Sequence, residues 1–160
     1  MKSRSIALYA AVISAAILLD QIIKILVEER LPLHHQVDIL PFLALLHSQN
    51  TGIAFSFLSG VGGFWLSLLV LGVIIFIAVL AFRTDSNHLF ARLGFALILG
   101  GAVGNLIDRA TRGYVVDYIY FHTPVWSFAI FNLADAFITV GALLVVLEEV
   151  LNLRRQRQGS

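Results

Sequence analysis

Apolar positions in this chain fall into four long blocks separated by short polar stretches. The cleanest block is residues 61–82, with no charge and nothing more polar than Ser67. A helix crossing a bilayer core needs about 20 such residues, so this block predicts a transmembrane helix. A chain of 160 residues is too small to bury it as the core of a soluble protein. Blocks 5–27, 93–107 and 128–147 are also strongly apolar, but each carries polar residues toward one end. Asp20 and Lys24 interrupt the first, Asn105, Asp108 and Arg109 close the second, and Asp135 lies in the third. The blocks are long and lack two-residue alternation, which selects helices over the strands of a membrane barrel. The expected fold is an all-α membrane protein with four transmembrane helices. A single integral membrane domain over 1–160 would have spans at about 5–27, 61–82, 90–108 and 128–149.

Composition sharpens this picture. Apolar residues make up 59% of the chain and charged residues 13%, against roughly 45–50% and about 25% in soluble domains. Mean hydropathy is +0.88, which excludes disorder. A formal net charge of +1 is too weak to recruit nucleic acid, and no nucleic-acid partner is expected. The absence of cysteine removes disulfides, thiol nucleophiles and thiolate metal sites. Positive charge orients the spans. Lys2, Arg4, Arg83, Arg92, Arg154, Arg155 and Arg157 share one side; Lys24, Arg30, Arg109 and Arg112 lie on the other. Both termini are therefore expected in the cytoplasm, with residues 28–60 and 109–127 facing outward. Met1 to Arg4 and the apolar run behind them resemble the opening of a secretory signal. That run continues into Asp20 and Lys24 without a small-residue cleavage site, so it is expected to stay as the first span.

Asp20, Lys24, Asn105, Asp108, Arg109 and Asp135 all fall toward the outer ends of their helices. Charge inside a span costs about 2.5–3.5 kcal/mol on insertion scales, and three helices interrupted at one level point to a polar cavity near the outer surface. Asp20 and Lys24 are four apart and share a helix face; they form a structural pair, or Lys24 reaches a lipid phosphate. Gly100, Gly101 and Gly104 leave a bare face for close helix packing. Asp108 reads as a local charge at a helix end. Asn132 and Asp135 share a face, and Asp117 lies in the apolar stretch VVDYI. The segment between the two acids is long enough to fold back and bring them together. Two carboxylates in contact share a proton, so one activates water while the other polarises a carbonyl.

Other hydrolytic chemistries find no support. The zinc signature HExxH is absent, and His34, His35, His47, His88 and His122 lack metal spacing. Ser59 lacks the context of a membrane serine nucleophile, and a Ser–Lys dyad has only Lys24, already beside Asp20. No metal and no cofactor are expected. Asn50 is placed to hydrogen-bond a substrate backbone, with Gly52 allowing close approach; a plain turn into the second span is the alternative. Trp65 and Trp126 are candidates for the interfacial belt.

Five blocks, in order, resemble the lipoprotein signal peptidase (signal peptidase II) family: LLDQIIK at 18–24, QNTGIAFSF at 49–57, GGAVGNLIDR at 100–109, VVDYI at 115–119 and FNLADAFIT at 131–139. The resemblance covers about 5–151. It implies a four-helix inner-membrane aspartic endopeptidase with its site at the outer leaflet. Such an enzyme removes the signal peptide of a diacylglyceryl-modified prolipoprotein by cutting just before the lipidated cysteine. The catalytic pair would be Asp117 and Asp135. Substrate-binding positions would be Asp20, Lys24, Asn50, Gly52, Asn105, Arg109 and Asn132. The resemblance also implies a small extracytoplasmic β-like platform and a mobile loop, at about 28–60 and 112–127. The partners would be prolipoproteins and membrane lipid, and the enzyme would act as a monomer in the bacterial inner membrane, its site facing the periplasm. The residues alone also admit a proton-coupled transporter, since intramembrane carboxylates mark proton relays, or a noncatalytic assembly factor that binds a partner through the glycine-rich span.

Overall fold

The computed structural model describes residues 3–52, 63–85 and 87–158. Each apolar block supplies a helix: α1 (Ser3–Arg30), α2 (Gly63–Arg83), α3 (Leu89–Thr111) and α4 (Leu133–Gln158). All four are long and apolar enough to cross a membrane. The 21 residues of α2 rise about 30 Å, the thickness of the hydrocarbon core. Phe64, Ile75, Phe76 and Phe82 of α2 and Leu143 and Val146 of α4 are exposed on the outer faces of the helices, as a lipid-facing surface requires.

Helix α3 is the central element. In its apolar window 56% of residues are buried, against 11% for each of the other three. Its glycines explain how neighbours come so close. A Cβ on Gly94 would lie 2.5 Å from the carbonyl oxygen of Gly141, and one on Gly141 would meet the Gly94 oxygen at the same distance. The α3 and α4 backbones therefore touch where neither has a side chain. Gly100 faces Ala16 of α1, and Gly101 faces Ala134 of α4. The start of α3 is capped from another helix: the Phe90 N–H donates to the buried Glu148 carboxylate of α4 at 3.0 Å.

The connections form a four-stranded antiparallel sheet, ordered β1 (Gln36–Leu40), β2 (Leu43–Asn50), β3 (Val115–Thr123) and β4 (Trp126–Ser127). This is the platform the family resemblance implied. It docks on the end of α1, where Val116 and Tyr118 pack with Val27 and Leu31. A second apolar cluster, Ala81, Ala91, Phe95 and Leu99, lies where α2 meets α3.

Helix α3 runs on to Thr111 and α4 to Gln158, past the expected 108 and 149, and two further boundaries differ from the apolar pattern. Helix α1 runs on to Arg30, because an amphiphilic end is still helix. Helix α4 begins at Leu133, five residues after the apolar block opens. Residues 128–131 pair with β3 instead: Phe128 N–H donates to Phe121 O at 2.8 Å, and Phe131 bridges Ile119. Apolarity alone does not distinguish a helix turn from an extended run against a sheet. Of the two segments expected to hold the platform and the loop, 112–127 is largely taken up by β3 and β4, while residues 53–60 of 28–60, with Ser59 and the QNTGIAFSF block past Gly52, lie outside the described residues.

Candidate active site

Asp117 and Asp135 reach the same place from different elements. Asp117 lies on β3, opposite Ser48 in the β2 ladder. Successive strand residues face opposite sides, so Val116 and Tyr118 enter the apolar cluster while Asp117 turns to the helices. Asp135 lies in the first turn of α4. Asn132 joins the two acids. Its Nδ2 donates to Asp117 Oδ1 at 2.6 Å, its backbone N–H donates to Asp135 Oδ2 at 3.3 Å, and its Oδ1 accepts the Asp135 N–H at 3.0 Å. The last two bonds form a reciprocal cap in which the acid is also the third residue of the helix.

The other carboxylate oxygens are held by amides. Asn50 Nδ2 donates to Asp117 Oδ2 at 2.9 Å, and Asn105 Nδ2 donates to Asp135 Oδ1 at 2.8 Å. Asp117 is buried. Its pKa is pushed up to about 7, first by burial and then by the Asp135 charge, against the pull of the Asn50 and Asn132 hydrogen bonds.

A cavity of about 730 Å³ opens beside the acids. Asn50, Asn105, Arg109, Asp117 and Asp135 line its polar end. Its remaining wall is apolar, with Leu69 and Val73 from α2 and Ile138 and Val140 from α4. Gly52 does not itself line the cavity but is tied to two residues that do. Its N–H donates to Asn50 Oδ1 at 2.9 Å, and its carbonyl accepts Arg109 Nη2 at 2.7 Å. Arg109 Nη1 also reaches the Asn105 carbonyl at 3.4 Å, while its buried Nε has no hydrogen-bond partner among the described residues. A second hollow, on the exposed face of α2 around Gly72, is lined by Trp65, Leu68, Leu69, Val73 and Phe76 and contains no ionisable group.

Three residues expected to touch substrate lie elsewhere. Asp20, Lys24 and Asn132 are fully buried and do not line the cavity. Lys24 does not reach toward lipid, because two carboxylates and an amide surround it. Its Nζ lies 2.8 Å from Asp20 Oδ2, from Asp108 Oδ2 and from Asn105 Oδ1. The last bond fixes the Asn105 amide: its oxygen accepts from Lys24 and from Asn132, so its nitrogen faces Asp135. Asp20 Oδ1 accepts the Ala134 N–H at 3.0 Å, capping α4 from α1. Gly104 leaves it the room, since a Cβ there would lie 2.7 Å from Asp20 Oδ2.

Asp108 is more than a local charge at a helix end. It binds Lys24, Gln21 Nε2 at 3.0 Å, Arg112 Nη1 at 2.8 Å and the Val116 N–H at 3.3 Å. Arg112 continues outward to Glu28 at 2.9 Å. Asp108 was legible as one of the charges gathered at the outer helix ends; Gln21 and Arg112 carry no sequence signal as site residues.

The fold and this site define a multi-pass membrane protein with a carboxylate pair at the polar end of an apolar cavity. Residues 12–151 match the family model described as "Signal peptidase (SPase) II". The chain is 59% identical over 153 residues to the lipoprotein signal peptidase of Mesorhizobium japonicum, covering 96% of this chain and 91% of that protein. It is 55% identical over 146 residues to that of Brucella ovis, covering 91% of each. Two solved structures titled as bacterial membrane enzymes, both obtained by the in meso method, share its fold. One, at 2.3 Å resolution, superposes with a TM-score of 0.77 at 27% identity, over 92% of this chain and 90% of that one. The other, at 1.9 Å, gives 0.76 at 29% identity, over 89% and 92%. The chain belongs to the signal peptidase II family, and is by that membership a membrane aspartic protease of lipoprotein processing. The transporter and assembly-factor readings give way to an enzyme.

Proposed function

We propose that this enzyme removes the signal peptide from diacylglyceryl-modified prolipoproteins, cutting just before the lipidated cysteine with Asp117 and Asp135 as its catalytic pair. The observation that carries the reading is the shared hydrogen-bond frame, in which one asparagine, Asn132, holds both acids. Asp117, pushed up to about 7, holds the shared proton. Asp135 sits in the first turn of α4, where the helix dipole favours a carboxylate.

Asp135 takes a proton from water as the water oxygen attacks the scissile carbonyl carbon. Asp117 gives its proton to the carbonyl oxygen, leaving a neutral gem-diol. Collapse returns one diol proton to Asp117, and Asp135 protonates the departing amine. Both acids end as they began. Asn50, Gly52, Asn105 and Arg109 are the groups at hand for the substrate backbone, and the apolar wall suits acyl or signal-peptide side chains. Asp20, Lys24 and Asn132 act from behind, by holding the acids and their amides in place. The enzyme works as a monomeric single domain, both termini cytoplasmic and the site facing the periplasm, at the depth where a lipid-anchored cysteine meets the headgroups.

The test is cleavage by protein purified in detergent, followed by gel shift. The lipidated precursor should be cut and the unmodified precursor left intact. Asp117→Asn and Asp135→Asn should each fold and lose activity by about 10²–10⁴-fold, the scale of acid–base catalysis. Near-native activity in either variant would remove the pair from the mechanism.

A further inference from the structure

The first N–H groups of a helix have no acceptor within it. In α4 three are satisfied by side chains from three different places. Leu133 N–H donates to the Tyr118 hydroxyl at 3.2 Å, Ala134 N–H to Asp20 and Asp135 N–H to Asn132. Tyr118 is the residue after Asp117, and Leu133 is two residues before Asp135. The backbone already pairs Tyr118 and Ile119 with Phe131, but those bonds end before the helix begins. Among the described residues, the phenol is the side chain that reaches from the strand bearing one acid to the first helical residue leading to the other. Tyr118 is buried, with Val27, Leu31 and Val116 around it, so its ring cannot swing away from Leu133. That burial also raises the phenol's pKa, and the group stays a neutral hydroxyl at working pH.

We propose that Tyr118 is a positioning residue of the reaction: its hydroxyl fixes the start of α4 against β3 and so sets the separation of Asp117 and Asp135. The inference rests on those acids being the catalytic pair. Tyr118→Phe deletes one oxygen and keeps the ring in its apolar setting. Kinetics on the lipidated precursor should show kcat down about tenfold or more, as for a reacting group misplaced by a fraction of an ångström, with KM within about twofold. The high-pH limb of the rate profile should move down, because Asp117 is held near 7 partly by the Asp135 charge and loses some of that push when the acids part.

Leu133→Pro supplies the second arm. Proline suits the first helical position and has no N–H to leave unsatisfied. It should reproduce the limb shift, and the double variant should be no worse than the more affected single one, the non-additivity of two partners in one bond. Tyr120→Phe, on the same strand, is the control and should stay at wild-type kcat and profile. A Tyr118→Phe enzyme with unchanged kcat and pH profile overturns the inference. So does one whose losses follow a lower melting temperature alone, with an unmoved profile. Asp135→Asn is assayed alongside. If it still cleaves, the catalytic pair itself is wrong; if it is inactive while Tyr118→Phe behaves as wild type, only the role of Tyr118 falls.

Discussion

At the scale of single residues, the site separates chemistry from support. Asp117 is pushed up to about 7 by burial and by Asp135, so below neutrality it is protonated and above it ionised. The mechanism requires the protonated form. The value of kcat/KM should therefore fall as pH rises through about 7, with the limb assigned to Asp117, as initial rates across the neutral range would show. A rate that instead climbs through that range would contradict the assignment of the proton. Lys24 makes the opposite kind of case. It is fully buried among Asp20, Asp108 and Asn105, so Lys24→Met leaves uncompensated charge in a dry interior. The expected cost is about 3–5 kcal/mol, read as a lower melting temperature in detergent. Activity should fall as well, since the Asn105 amide that holds Asp135 loses the shorter of the two bonds to its oxygen and keeps only that from Asn132.

At the scale of elements, the close approach of α3 to its neighbours carries the architecture. Gly94→Ala inserts a Cβ 2.5 Å from the Gly141 oxygen, and rigid backbone has no way to yield cheaply. Destabilisation of about 1–3 kcal/mol is expected. Gly72→Ala on α2 meets nothing within 4 Å and should be neutral or stabilising by about 0.5–1 kcal/mol. Thermal unfolding of the two variants side by side tests this. The four helices were legible because twenty or so apolar residues in a row have few other outcomes. Asp117 and Asp135 stood out because an acid embedded in apolar sequence must have a reason to be there. The Asp20–Lys24 pair was legible from its four-residue spacing, but what the pair does for α4 and Asn105 was not. Spacing shows which residues share a face of their own helix; it does not show that Ala134, far along the chain, brings its N–H to Asp20. Tyr118 was hidden for the same reason, as was the late start of α4, which depends on Phe131 finding Ile119.

At the scale of the whole molecule, four apolar helices bear a small sheet at the end where the acids gather. The basic residues at the opposite end, Arg83, Arg154, Arg155 and Arg157, favour the orientation proposed above, with that end in the cytoplasm, by the positive-inside rule. Because the chain has no cysteine, single replacements report position without background. Ser127→Cys on β4 should react with a membrane-impermeant maleimide added outside spheroplasts, and Arg154→Cys should react only after lysis. The reverse pattern would invert the topology and put the site on the wrong side for a secreted, lipid-anchored substrate.

The cap that Asp20 gives to Ala134 also bears on how the protein is made. The ribosome delivers α1 first and α4 last. Until the last span enters the membrane and settles against the first, Asp135 has neither its supported helix start nor its partner across Asn132. With Asp117 and Asp135 as the pair proposed above, a partly synthesised chain would carry Asp117 without its partner, and proteolytic power would arrive only with the last span. For an enzyme with that pair beside the bilayer in which all its neighbours are being inserted, the order of the chain would act as its own safety catch.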